Sequence, residues 1–193
     1  MSLLFEFREW DISLPNPEFY CIEDSNEINF ASENYLDALW FINMHEYAHV
    51  LYGHTSTTTD GEPKSTDQLR KDEIEADQFA LRFCKYYLDD TPIEGKEDRL
   101  VSFVTGLLAL LMSKKELDTP GYPHIHIRVI AALKTLSWKD TNMAWGVCAI
   151  MFKNWALTYG YEELEVRTHY KNDKHYCIHI ASVIQSTIQR NKS

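Results

Sequence analysis

Residues 45 to 49 read His45-Glu46-Tyr47-Ala48-His49. Positions i and i+4 of a helix lie on one face about a turn apart, so the two imidazoles can close on a single metal ion. Glu46 then projects beside that ion, where a carboxylate can take a proton from a water that the metal acidifies. The implied chemistry is metal-assisted hydrolysis. It asks three things of the remaining chain: a helix beneath the motif, a third ligand, and a donor to stabilise an oxyanion.

The segment from Asn34 to Tyr52 contains neither Gly nor Pro. Leu36, Leu39, Trp40, Met44, Tyr47 and Leu51 recur at spacings of three and four, which predicts a helix with these residues as its buried stripe and the histidines beside it. Ser32 or Asn34 can cap its start, and Gly53 stands where a left-handed residue would end it. His54 follows directly. In one group of zinc peptidases a third histidine ligand lies six residues after the second, past a glycine at the third position. His54 is at the fifth position, so that arrangement is rejected. The histidine either answers the helix dipole or lines the site.

Ser65-Thr66-Asp67-Gln68 forms a capping box that opens a second helix running to about Leu88. Leu69, Glu73, Ala76, Ala80, Phe83 and Tyr87 are its expected core stripe. Glu73 puts a carboxylate into that stripe, a costly placement unless the group is paired or binds a metal. Glu75, two positions on, should face solvent near Arg82. The spacing therefore favours Glu73 over Glu75 as the third ligand. Asp77, one turn later, can accept a hydrogen bond from a ligating histidine.

Glu73-Ile74-Glu75-Ala76-Asp77 resembles the Glu-x-x-Ala-Asp/Asn helix of the glutamate-ligand zincins. These include the membrane prenyl-protein and heat-shock proteases, the ImmA/IrrE regulators and the Lit-type phage-exclusion peptidases. The resemblance implies Glu73 as third zinc ligand and places Asp77 at the family's Asp/Asn. Such peptidases often carry a His-Pro-x-x-x-x-Arg segment; here Pro123 and Arg128 keep the spacing while Tyr122 takes the place of the histidine. That histidine is thought to help stabilise the oxyanion. A Tyr122 hydroxyl can donate the same bond, and His124 or His126 can equally replace it. Arg128 either pairs with a buried carboxylate or touches substrate. The resemblance covers about residues 28 to 135, and the run from Tyr47 to His54 looks most like the Lit-type enzymes. It implies a cytosolic zinc metallopeptidase that acts on a host protein during phage conflict.

The 193 residues fit one domain, with a net charge of −10 and a pI near 5.2 that argue against nucleic acid as a partner. Met1 to Asp11 lacks the apolar core of a signal peptide, and Leu107 to Met112 is too short to span a bilayer. A cytoplasmic protein is expected, with no membrane partner and with Cys21, Cys84, Cys148 and Cys177 reduced and not zinc-bound. Strands are predicted at Leu3 to Phe7, Phe19 to Ile22 and Glu27 to Phe30. Leu100 to Met112 reads as a buried helix, and Met143 to Tyr159 and His175 to Ile188 as further helices. Trp138, Trp145, Phe152 and Trp155 belong to the core, and His169, His175 and His179 read as ordinary residues of an amphipathic helix.

The expected fold is mainly α (α+β), a zincin-like helical domain spanning 1–193. It comprises a small β element at 1–33, a motif-bearing core at 34–135 and a helical part at 136–193. The expected function is zinc-dependent hydrolysis of a peptide bond in a protein or peptide. Zn²⁺ would sit on His45, His49 and Glu73, with Glu46 as base, Tyr122 or His124 as oxyanion donor, and Asp77 and Arg128 as supports. The alternative is a non-catalytic zinc-binding interaction protein of a phage or toxin system. There His54 or His124 would close the site as a fourth ligand, as structural zinc requires.

Overall fold

The computed structural model describes residues 25–112, 120–159 and 171–190. The chain divides into units 1–33 and 34–193, and everything below concerns the second unless stated. Six helices are described: α1 (Ser25–Leu51), α2 (Thr66–Asp90), α3 (Ile93–Met112), α4 (Ile125–Leu136), α5 (Met143–Thr158) and α6 (Asp173–Arg190). Among the described residues there is no strand, only an isolated antiparallel bridge between Thr57 and Pro63 in the loop after α1. The protein is mainly α.

One predicted strand is corrected. Glu27 to Phe30 is helical and forms the start of α1, which begins at Ser25 rather than near Asn34. No Gly or Pro lies between Ser25 and Leu51 to stop a helix from extending. The strands expected at Leu3 to Phe7 and Phe19 to Ile22 lie outside the described residues.

The α1 stripe is also corrected. Leu36, Trp40, Tyr47 and Leu51 are exposed, whereas Ala38, Phe41, His45 and Ala48 are buried. Both sets follow a three-and-four spacing, so periodicity alone does not choose between them. The observed face carries the smaller side chains and so lets α1 lie close to its neighbours. There Asn34 accepts a hydrogen bond from Ser102 of α3, and Asp37 pairs with Arg99 at 3.3 Å.

α2 starts where expected. The Ser65 hydroxyl accepts from the Gln68 amide and the Gln68 side chain accepts from the Ser65 amide, a reciprocal cap whose serine contributes about 1 kcal/mol. Its buried face runs through Ala76, Asp77, Ala80, Cys84 and Leu88, leaving Phe83 and Tyr87 half exposed instead of in the core. The stripe is rotated by about one residue from expectation beyond Ala80.

α3 lies at the centre, packed on α2, α4 and α5, while α6 covers α5 and α4. Leu100, Phe103, Leu107, Trp145, Phe152 and Trp155 are fully buried there, and Trp138 packs against this core from its edge. Cys84, Cys148 and Cys177 are free and buried. No described helix is long and apolar enough to cross a membrane.

Candidate metal centre

The site forms where the C-terminal half of α1 meets the first half of α2. Small residues make the approach possible, since Ala48 and Ala76 are both fully buried in a cluster with Phe79. Histidines four apart on α1 thereby face a carboxylate on α2. Nε2 of His45 lies 3.1 Å from Nε2 of His49. Glu73 completes a triangle of residues, its Oε2 3.4 Å from His45 Nε2 and its Oε1 3.4 Å from His49 Nε2. These three residues are the one group among the described residues whose ligand atoms converge as a metal site would require.

The triangle can be tested against a metal. Zinc bonds nitrogen or a carboxylate oxygen at about 2.0–2.1 Å, and tetrahedral bonds of that length put neighbouring ligand atoms about 3.3 Å apart. The 3.1 Å between the two imidazole nitrogens, and the 3.4 Å from each of them to its nearer Glu73 oxygen, are close to that figure, and one ligand atom from each residue can be chosen with all three within 4.8 Å of one another. Two nitrogens and one carboxylate are also a donor set that zinc accepts. The group can hold a metal ion.

Behind the triangle lies a buried ionic network. Asp77 receives two hydrogen bonds from Arg128 of α4, from Nε and Nη2, each 2.7 Å long. Its Oδ1 is also 3.0 Å from Nδ1 of His45, though bent away from the line of a straight hydrogen bond. Arg128 Nη1 comes within 3.9 Å of Glu73. Arg128 therefore pairs with a buried carboxylate, one of the two roles open to it.

These contacts set the charges. Burial opposes a proton on His45, but the adjacent carboxylates of Asp77 and Glu73 outweigh it and push the imidazole up to about 9. For His49 burial dominates, and the neighbouring His45 and His54 add to it against the pull of Glu73, so its pKa falls. Burial works against the Asp77 charge too, yet His45 and Arg128 hold the carboxyl below its usual range. A positive Arg128 and a negative Asp77 are thus fixed under the site.

Glu46 is solvent-exposed on α1, close enough for its charge to act on both His49 and Arg128. Tyr122 is half exposed in the turn before α4, and His124 is the residue from which α4 starts, one turn ahead of Arg128. This turn is brought to α2 through Gly121, whose φ of +83° suits glycine. A Cβ there would meet Leu69 at 3.1 Å. His126 is buried and its Nε2 shares a hydrogen bond with Gln185 of α6. It belongs to the α4–α6 packing, which leaves Tyr122, half exposed, and His124, partly buried, as the remaining pair.

His54 and Glu75 were not joined by any reading of the sequence. His54 touches His49 at Nδ1, the nitrogen opposite the triangle, so it is not among the converging atoms. Glu75 does face outward, and it lies against His54. Arg82, expected near Glu75, reaches the Tyr52 hydroxyl instead.

No curated protein and no solved structure gives a match to this chain. The family profile of Peptidase U49 matches residues 1–148, a span that contains His45, Glu46, His49, Glu73, Asp77 and Arg128. The chain belongs to the Peptidase U49 family, and with its converging ligand atoms it is a peptidase with a site able to hold a metal.

Proposed function

We propose that this peptidase is a zinc-dependent endopeptidase whose metal is held by His45, His49 and Glu73. The observation that carries the reading is the convergence of His45, His49 and Glu73, one ligand atom from each lying within 4.8 Å of the others, beside an exposed carboxylate. Zinc bound there supplies Lewis acidity, which lowers the pKa of water to about 7 and polarises a carbonyl. Glu46 takes a proton from the attacking water and passes it to the leaving amine as the C–N bond breaks. Tyr122 or His124 donates a hydrogen bond to the developing oxyanion. Asp77 orients His45, and Arg128 holds Asp77 in place. Three protein ligands would leave a position for water or substrate, so the residues present would suit catalysis better than a closed four-ligand structural role.

The substrate in this reading is a protein or peptide, not nucleic acid, because the net charge of −10 repels a phosphate backbone. A cytoplasmic role in phage exclusion rests on the similarity of the run from Tyr47 to His54 to Lit-type peptidases. The test begins with metal analysis by mass spectrometry. Wild type should carry about one zinc per chain, Glu73→Ala almost none, and Glu75→Ala a full complement when zinc is supplied in excess. New protein N-termini should then appear in cells expressing wild type and vanish with Glu46→Gln, which keeps its zinc. Cleavage that persists undiminished in Glu46→Gln would remove that residue from the mechanism.

A further inference from the structure

We infer that His54 and Glu75 are positioning residues that hold His49 in its metal-binding tautomer through a hydrogen-bonded chain from the protein surface. The inference rests on the zinc reading above and deepens it.

The two candidate histidine ligands are supported differently. His45 has a carboxylate, Asp77, at its outer nitrogen. His49 has another imidazole there, with Nδ1 of His54 3.0 Å from Nδ1 of His49. The other nitrogen of His54 lies 3.2 Å from Oε2 of Glu75 and 3.8 Å from Oδ1 of Asp72. Lys64 anchors Asp72 at 2.6 Å. His54 is thus caught between His49 and two carboxylates, with its side chain only 7% exposed.

With His54 neutral, one arrangement of protons satisfies this chain. A carboxylate can only accept, so Nε2 of His54 carries the hydrogen and donates to Glu75. Nδ1 of neutral His54 is then bare and accepts from Nδ1–H of His49. Nε2 of His49 is left with its lone pair, and Nε2 is the atom that points into the triangle with His45 and Glu73. The opposite tautomer of His54 would set two N–H groups against each other across 3.0 Å and turn a lone pair toward a carboxylate. Glu75 therefore selects the tautomer of His54, and His54 selects that of His49.

The backbone is shaped for this contact. α1 ends at Leu51, and Gly53 takes a φ of +65°, a left-handed conformation that turns the chain back. The amide of His54 then donates to the carbonyl of His49 at 2.8 Å, so main chain and side chain of the same two residues are joined. The ring of Tyr52 packs against that of His54, with centroids 5.6 Å apart.

The test measures zinc affinity by chelator competition and histidine tautomers by ¹⁵N NMR in the zinc-loaded protein. His54→Leu, which lacks an acceptor, should weaken zinc about 10–100-fold, the usual range for losing such a support. His54→Asn, whose side-chain oxygen can stand near the place of Nδ1, should recover most of that loss. In wild type His54 should be the Nε2–H tautomer, and Glu75→Gln should shift it toward a mixture. A cobalt-loaded His54→Leu protein should show an altered visible spectrum. Wild-type affinity in His54→Leu, or an Nδ1–H tautomer in wild type, would overturn the inference while loss of zinc in Glu73→Ala left the metal reading intact. No zinc uptake by wild type would overturn both. Circular dichroism of each variant guards against loss of fold, and the His54→Asn rescue separates positioning from packing.

Discussion

Removing Asp77 should expose how much of the fold depends on the ionic layer beneath the site. Its carboxylate takes both hydrogen bonds from Arg128 at 2.7 Å, and each side chain is about nine-tenths buried, at 12% and 9% exposure. In Asp77→Ala the guanidinium stays inside with Glu73 as its nearest remaining carboxylate, 3.9 Å from Nη1. Stranding one member of a buried pair typically costs about 3–5 kcal/mol. At about 2–4 °C per kcal/mol for a chain of this size, the metal-free protein should melt about 6–20 °C lower. Replacing both partners with apolar residues, Asp77→Leu with Arg128→Met, removes the stranded charge and should restore much of the loss. The assay is urea unfolding followed by circular dichroism for wild type, Asp77→Ala, Arg128→Met and the double variant. A single-variant loss below 1 kcal/mol would refute the claim of a desolvated pair. So would a double variant no more stable than Asp77→Ala.

Acid should act through His126. Burial lowers its pKa to about 4, below the unfolded value of 6.5, so the unfolded chain binds the extra proton between those limits. Stability from this group is complete above pH 6.5 and falls by about 1.4 kcal/mol per pH unit until about pH 4. Wild type should therefore lose about 2 kcal/mol more than His126→Gln between pH 6.5 and 5 in urea melts, and parallel curves would count against this. Burial also pushes the Cys84 and Cys177 thiols up to about 12 and Cys148 well above its ordinary value. All three should resist a thiol reagent in the native protein and react on unfolding, with kinetics read by absorbance.

Helix content was largely legible in the sequence, while the phase of the helices was not. The capping box at Ser65 and the lack of breakers from Asn34 to Tyr52 announce α1 and α2 by local chemistry alone. Where α1 begins was less legible, because Glu27 to Phe30 suits a strand as well as a helix when read in isolation. The buried face of α1 was misread because the chain offers two stripes, and the more hydrophobic one stays outside. His54 escaped for another reason: its partner lies five residues back, and a left-handed Gly53 makes that pairing instead of helical periodicity.

The observed orientation of α1 shows what decides the phase. Once His45 and His49 must face Glu73, the inward face of α1 runs through Ala38 and Phe41, seven and four residues before His45, and Ala48 and His49, three and four after it. On α2 the same demand from Glu73 and Asp77 brings in Ala76, Ala80 and Cys84, which are buried. Small side chains at Ala48 and Ala76 keep the two helices near enough for ligand atoms to meet across them. Hydrophobicity would have turned α1 the other way, to hide Leu36, Trp40, Tyr47 and Leu51. The site's own geometry outranks the apolar pattern as a predictor of orientation here, and the exposed aromatic and aliphatic residues beside Glu46 are its consequence.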